Sequence, residues 1–402
     1  MSFTMSAKDR ALSAPGGAPA SDRPLLVGRP SLLRRERFLE RVNDILDRAW
    51  LTNNGPYVQE FEARVAEIIG LRHCVAVANG TLALEIAARA LDLDGEVICP
   101  AFTFIATPHA LKWCRLSPVF CDIDPRSYCL DPAKAEALIT SRTTALVGVH
   151  VWGTPCDTEA LEDLADAYGL RLLFDAAHAF GCSRAGRMIG SFGDAETFSF
   201  HATKFVNTVE GGAIVTDNDD LAERMRLMRS FGLAAPDEVV ALGTNAKLNE
   251  IGAAMGLASL DAIDEIIAAN RRNYGCYHES LAGVPGITLV EHDDSERHNY
   301  QYVPILVDAD EAGTGRDEVL AALEREDVYA RPYFSPGCHQ AAPYRFDLTA
   351  NRASLPVTER VASQCLCLPT GPDVSGADIR RVAAIIRSAI EARPGTVANS
   401  MR

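Results

Sequence analysis

Residues 171–217 read RLLFDAAHAFGCSRAGRMIGSFGDAETFSFHATKFVNTVEGGAIVTD, and the order of apolar runs and breaks in this stretch decides the fold. RLLFDA is a short β-rich run that ends on Asp175; ETFSF and GGAIVTD are two closer-spaced runs with Lys204 in the turn region between them. Working upstream, HCVAVA (73–78), EVICP (96–100), PVFCD (118–122) and TALVGVH (144–150) are runs of the same kind. Helical patterns such as TLALEIAARAL (81–91) and TEALEDLADAYG (158–169) separate most of them. Short apolar strands alternating with helices predict a mostly parallel α/β sheet covered on both faces.

Upstream of the sheet, Leu39, Val42, Ile45, Leu46 and Ala49 share one face of an amphipathic helix, and VQEFEARVAEIIG forms a second that Gly70 closes. Downstream, the helix DLAERMRLMRSFG follows the last close-spaced strand. After about residue 265 the pattern changes to helix IDEIIAANRRNYGCYHESL, strands GITLVE and NYQYVPILVD, helix RDEVLAALERE, strand VYARPYF and helix ADIRRVAAIIRSAIEA. The expected organisation is a disordered arm over 1–22, a large domain over 23–264, a smaller α+β domain over 265–393 and a disordered tail over 394–402.

Composition narrows the function classes. Of 402 residues, 48% are hydrophobic and 23% charged, so disorder is not the main state, and no uncharged apolar run reaches the length of a membrane span. With 39 basic against 54 acidic residues the net charge is −15, which repels nucleic acid and anionic lipid. The charges in MSFTMSAKDR stand where an export signal needs an apolar core, so the expected location is the cytoplasm. The eleven cysteines are odd in number and scattered, as reduced thiols would be. Cys365 and Cys367 lack a second pair, and Asp175, His178 and His201 match no common zinc spacing, so no metal is expected.

Three features fall where strands end and helices begin, the edge at which open α/β sheets hold ligands. Asp175 ends RLLFDA, with His178 three residues on; Lys204 follows ETFSF; Gly80 and Thr81 open a helix directly after a strand. Each alone has an ordinary explanation: a turn carboxylate, a solvated lysine, a helix cap. Together they meet one chemical need. A helix start offers amides to a phosphate, a lysine forms a Schiff base with an aldehyde, and a carboxylate keeps a pyridine nitrogen protonated. At about 3 Å and an effective dielectric near 20, that last attraction is worth roughly 5–6 kcal/mol, about four pKa units before desolvation is subtracted. Phosphate, aldehyde and pyridine occur together in pyridoxal 5′-phosphate.

The string FSFHATKFVNTVEGGAIVTD resembles the lysine segment of the DegT/DnrJ/EryC1/StrS sugar aminotransferases, which have PLP fold type I. LTNNGPYVQEFE, NGTLALE, PAFTFIATPHAL, GVHVWGTPC, FDAAHAFG, GTNAKLNE and YFSPGCH occur in that family's order, from about PLLVGRP to the final helix. The resemblance implies a seven-stranded sheet, Lys204 as the Schiff-base lysine and proton shuttle, Asp175 as the pyridinium partner and His178 at the ring 3-hydroxyl. It further implies Phe104 against the ring face, Gly80, Thr81 and Ser199 at the phosphate, and Asn245 reaching that phosphate from a second subunit of a homodimer. TNNGP, HNYQY and YFSPGCH match segments that line a nucleotide-sugar pocket, which makes Asn53, Tyr300, Tyr333 and His339 the expected substrate contacts; each can equally be domain packing. The implied reaction carries an amino group from an amino acid, glutamate by resemblance, through pyridoxamine phosphate to a keto sugar nucleotide. Several spellings resemble 4-aminotransferases acting on TDP-4-keto-6-deoxyglucose in antibiotic-sugar pathways. The alternatives left open are a 3-keto sugar or keto-cyclitol aminotransferase, a PLP-dependent 3-dehydratase and a non-catalytic regulator. The 3-dehydratases carry His where Lys204 stands, and the Asp175–Lys204 pair argues against a regulator.

Overall fold

A computed structural model describes residues 23–392; the arm expected over 1–22 and the tail over 394–402 lie outside the described residues. The two amphipathic patterns form α1 (Arg35–Arg48) and α2 (Pro56–Ile69), the latter with Pro at its first position and Gly70 in the left-handed region at its end. Then come β1 (His73–Val77), α3 (Gly80–Ala90), β2 (Glu96–Pro100), α4 (Ala106–Trp113), β3 (Ser117–Cys121) and β4 (Thr143–Val149). After α5 (Thr158–Tyr168) follow β5 (Arg171–Asp175), β6 (Ala195–Ser199) and β7 (Gly212–Thr216).

These seven strands form one sheet in the order β1-β7-β6-β5-β4-β2-β3. Every pair is parallel except those of β7, which runs antiparallel to both β1 and β6. The residues between β6 and β7 contain no crossover helix and fold back on themselves, Thr208 N–H donating to Phe200 O, so β7 returns antiparallel. Nearly every strand residue is buried because helices cover both faces, so the runs read as continuously apolar instead of alternating.

Beyond α6 (Asp219–Arg229), α7 (Glu250–Leu260) and α8 (Ile263–Leu281), β8 (Ile287–Leu289), β9 (Val303–Val307) and β10 (Cys365–Leu368) make a three-stranded antiparallel sheet in chain order. Its core includes Tyr277, Val303, Ile305, Leu366 and Ile386, the last from the C-terminal helix α9 (Gly376–Glu391). Contacts cross residue 264 in both directions. Leu25 pairs with Val328 and packs in this second core, while Cys338, Tyr344, Ala350 and Leu355 return to the core of the large sheet. Of the expected strand 328–334, only Val328–Tyr329 is paired as one; Pro332 has no amide to give a ladder. All eleven cysteines are free, Cys365 and Cys367 fully buried, and no described helix is long and apolar enough to cross a membrane.

Candidate active site

β5 ends on Asp175 and β6 on Ser199, parallel neighbours with Asp175 opposite Thr197, so both chains leave the sheet at one edge. Beyond β6 the backbone folds back on itself: Ala202 N–H donates to Val209 O at 2.7 Å and Lys204 N–H to His201 O at 2.8 Å. That turn presents Lys204 at the same edge. Its amine donates to the Tyr302 hydroxyl at 3.1 Å. Burial pulls the Lys204 pKa from 10.5 down to about 8, with Asp175 opposing the change.

Asp175 is buried, and each carboxylate oxygen has one protein donor: the Thr107 hydroxyl at 2.7 Å and the Ala177 amide at 3.1 Å. Thr107 in turn shares a 2.9 Å hydrogen bond with Thr103. Burial raises the Asp175 pKa, while those two bonds, Lys204 and His150 pull the other way. The carboxylate therefore retains accepting capacity for a further cationic donor. Burial holds the His178 pKa well below the usual 6.5, so its ring is neutral at pH 7. Its Nδ1 accepts from the Trp152 amide at 3.2 Å, which assigns the proton to Nε2 and makes that nitrogen a donor.

At the other end, Asn79 caps α3 by accepting from Leu82 N–H, and the amides of Gly80 and Thr81 precede the helix's first internal acceptor. A Cβ on Gly80 would stand 3.0 Å from Ser199 Cβ, and one on Gly212 would stand 2.7 Å from Gly80 N. Only glycine backbones let β6, β7 and the start of α3 approach this closely. The lining thus comprises an amine, a buried carboxylate with spare lone pairs, a neutral imidazole donor and an amide-and-hydroxyl cradle. Those groups fit the amine-reactive, cationic and anionic ends of pyridoxal 5′-phosphate. Phe104 is 55% exposed instead of lying in the core, with Phe334 6.2 Å away, so its ring face is open to a ligand.

The remaining expected residues are dispersed. Tyr333 borders the site, its ring 6.1 Å from that of Tyr302. Tyr300 turns away and packs on Tyr274, His292 and His298. His339 is buried 3.4 Å from Glu359. Asn53 and Asn245 are exposed, the first in a left-handed loop next to Asn54, which Arg229 holds, and the second accepting from Lys247 at 2.6 Å. His201 bonds Thr203 and faces Glu210, a local structural role. Thr107 and Tyr302 are the site residues that sequence reasoning missed. Tyr302 lies inside HNYQY, where alternation alone could not choose between its two tyrosines. Among the described residues, no group of three or more metal-ligating side chains could hold a metal ion.

Residues 33–387 match the model of the DegT/DnrJ/EryC1/StrS aminotransferase family. The chain belongs to that family. It is a PLP-dependent sugar aminotransferase of fold type I. Among curated family relatives it is 36% identical over 356 residues to a dTDP-4-amino-4,6-dideoxy-D-glucose transaminase of Escherichia coli, covering 88% of this chain and 96% of that one. It is also 36% identical to a GDP-perosamine synthase of Caulobacter vibrioides, covering 91% and 98%. Among solved structures, DesI in the presence of its TDP-sugar product superposes with a TM-score of 0.90 at 52% identity, covering 94% of this chain and 96% of that one. DesV of S. venezuelae, in complex with a ketimine intermediate, gives 0.83 at 32%, covering 89% and 95%.

Proposed function

We propose that this aminotransferase moves an amino group from L-glutamate to C4 of TDP-4-keto-6-deoxyglucose, in the cytoplasm, as a step in making an amino-deoxysugar of the antibiotic type. The observation that carries this choice is the 52% identity, over 94% of the chain, to DesI, a protein solved with its TDP-sugar product. The 4-amino-4,6-dideoxyglucose in the name of the E. coli relative supports position C4.

Bound pyridoxal 5′-phosphate supplies an electron sink for the pair left behind when the donor's α-proton is removed. The residues divide the remaining work. Lys204 would anchor the cofactor through its amine and would act as the base that takes the donor's α-proton; its lowered pKa suits a base near neutral pH. Asp175, fixed by Thr107, would hold the pyridine nitrogen cationic, and His178 would offer its Nε2–H to the ring oxygen. Gly80, Thr81 and Ser199 would hold the phosphate and Phe104 would cover the ring face. Asn245 serves the phosphate of a second subunit. The exposed apolar segment Phe231, Val239, Val240 and Leu242 just before it supports a homodimer. Residues 23–264 form the cofactor domain and 265–393 the smaller one; Asn53, Tyr333 and His339 are the sugar-nucleotide contacts to probe.

The test follows one half-reaction at a time by visible absorbance. Glutamate bleaches the cofactor band and TDP-4-keto-6-deoxyglucose restores it. Bleaching without restoration overturns the acceptor and leaves the aminotransferase, directing the search to 3-keto sugars and keto-cyclitols.

A further inference from the structure

Tyr302 has a single side-chain hydrogen bond among the described residues, and it is the one to the Lys204 amine at 3.1 Å. Among the described residues the Lys204 amine has no other hydrogen-bond partner and no carboxylate within ion-pair distance. Tyr302 is only 4% exposed. Its placement is fixed from several sides. The ring packs on His178 with centroids 4.5 Å apart at 50°, and edge-on to Tyr333 at 6.1 Å. Asn299 donates to the carbonyls of His178 and Phe180 at 2.8 and 3.0 Å. Gln301 donates to the His178 carbonyl at 2.8 Å and accepts from Phe205 N–H, the residue after Lys204, at 3.4 Å. The segment 299–302 is thus fastened to the His178 turn and to the lysine turn at once.

A buried tyrosine hydroxyl needs a hydrogen-bond partner, and the one this fastening brings to Tyr302 is the Lys204 amine. We propose that Tyr302 is a further catalytic residue whose hydroxyl holds the Lys204 amine, in both its protonation states, whenever that amine is not bonded to cofactor. The inference rests on the proposed proton-carrying role of Lys204. A charged amine donates N–H to the phenol oxygen; a neutral amine accepts the phenol O–H instead. The hydroxyl rotates and no proton is lost from it. Burial, with Tyr333 and Cys367 nearby, raises the phenol pKa well above 10, so the O–H stays protonated throughout the working range. The other titratable groups facing Lys204 are Asp175 and His178, each buried.

The test uses Tyr302→Phe, which keeps the ring packed between His178 and Tyr333, and Tyr302→Met as a second way to remove the hydroxyl should the first fold poorly. Trace acetylation of the cofactor-free protein, read by mass spectrometry of the Lys204 peptide across pH, reports the amine directly. A hydrogen bond to a charged group is stronger than one between neutral groups, so losing the hydroxyl destabilises the ammonium more than the free amine. The midpoint of Lys204 labelling is expected to fall by roughly half a unit to one unit in both variants. The glutamate half-reaction is expected to slow about tenfold in its maximal rate, with the glutamate KM changed less than twofold. An unchanged labelling midpoint overturns the proposal whatever happens to the rate, since a rate loss alone would then be a packing effect. Lys204→Ala, run alongside, separates the two ideas: full activity there sinks the reading of Lys204, whereas an inactive Lys204→Ala beside an unshifted Tyr302→Phe sinks only the role of Tyr302.

Discussion

Two acids lie buried on adjacent strands of the large sheet, and they could hardly be provisioned more differently. Glu196, near the start of β6, is fully buried; one oxygen accepts from the Gly190 and Phe192 amides at 2.7 and 2.8 Å, and the other is 3.2 Å from His150 Nε2. His150 Nδ1 already accepts from the Cys156 amide, so Nε2 carries the proton and donates to Glu196, while the ring stacks on Phe174. Asp175, at the end of β5, has one donor per oxygen and stands at the edge where the chain opens. The carboxylate supplied with three donors is structural. The one left short of donors, beside an amine and a neutral imidazole, keeps lone pairs to accept from a further cationic donor, the place proposed above for the pyridine nitrogen.

The comparison breaks most visibly at the amine. Lys204→Ala is expected to lower transamination by at least about 10³-fold, since both anchoring and proton transfer are lost; steady-state turnover with glutamate and keto sugar measures it. Asp175→Asn should cost roughly 10²–10³-fold in the half-reaction rate, because an amide cannot hold the pyridine nitrogen cationic. Thr107→Val sharpens the account of how Asp175 is positioned: losing one hydroxyl donor should weaken cofactor retention and slow the rate by about tenfold together. Glu196→Gln is expected to do the converse. The side-chain amide would face N–H donors, so thermal unfolding should report a loss of about 1–3 kcal/mol, while the half-reaction rate of the folded protein stays within about threefold of the parent. A rate loss at Glu196→Gln as large as that at Asp175→Asn would erase the distinction.

Much of this was legible in the residues because strand ends carry their own marks. RLLFDA, ETFSF and GGAIVTD gave β5, β6 and β7 to within a residue, and the strand-end rule brought Asp175, Lys204 and Gly80 to one edge. What could not be read has physical causes. α7 is buried nearly all round beside α1 and α2, so its small apolar residues show no period. Alternation through NYQYVPILVD would put Tyr300 and Tyr302 on one face. The strand begins only at Val303, however, and Tyr300 has φ +50°, which turns its side chain into a separate aromatic cluster and leaves Tyr302 to reach the lysine. Thr107 meets Asp175 across 68 residues of chain, a contact no local pattern encodes. The difference between Asp175 and Glu196 was equally hidden, because it lies in how many donors the folded backbone brings to each.

The most direct test is borohydride reduction of the cofactor-loaded protein followed by peptide mapping. The account predicts that the cofactor becomes fixed to the peptide containing Lys204, with little on the Lys247 peptide and none after Lys204→Ala. Fixation to another lysine, or undiminished fixation in that variant, would contradict it.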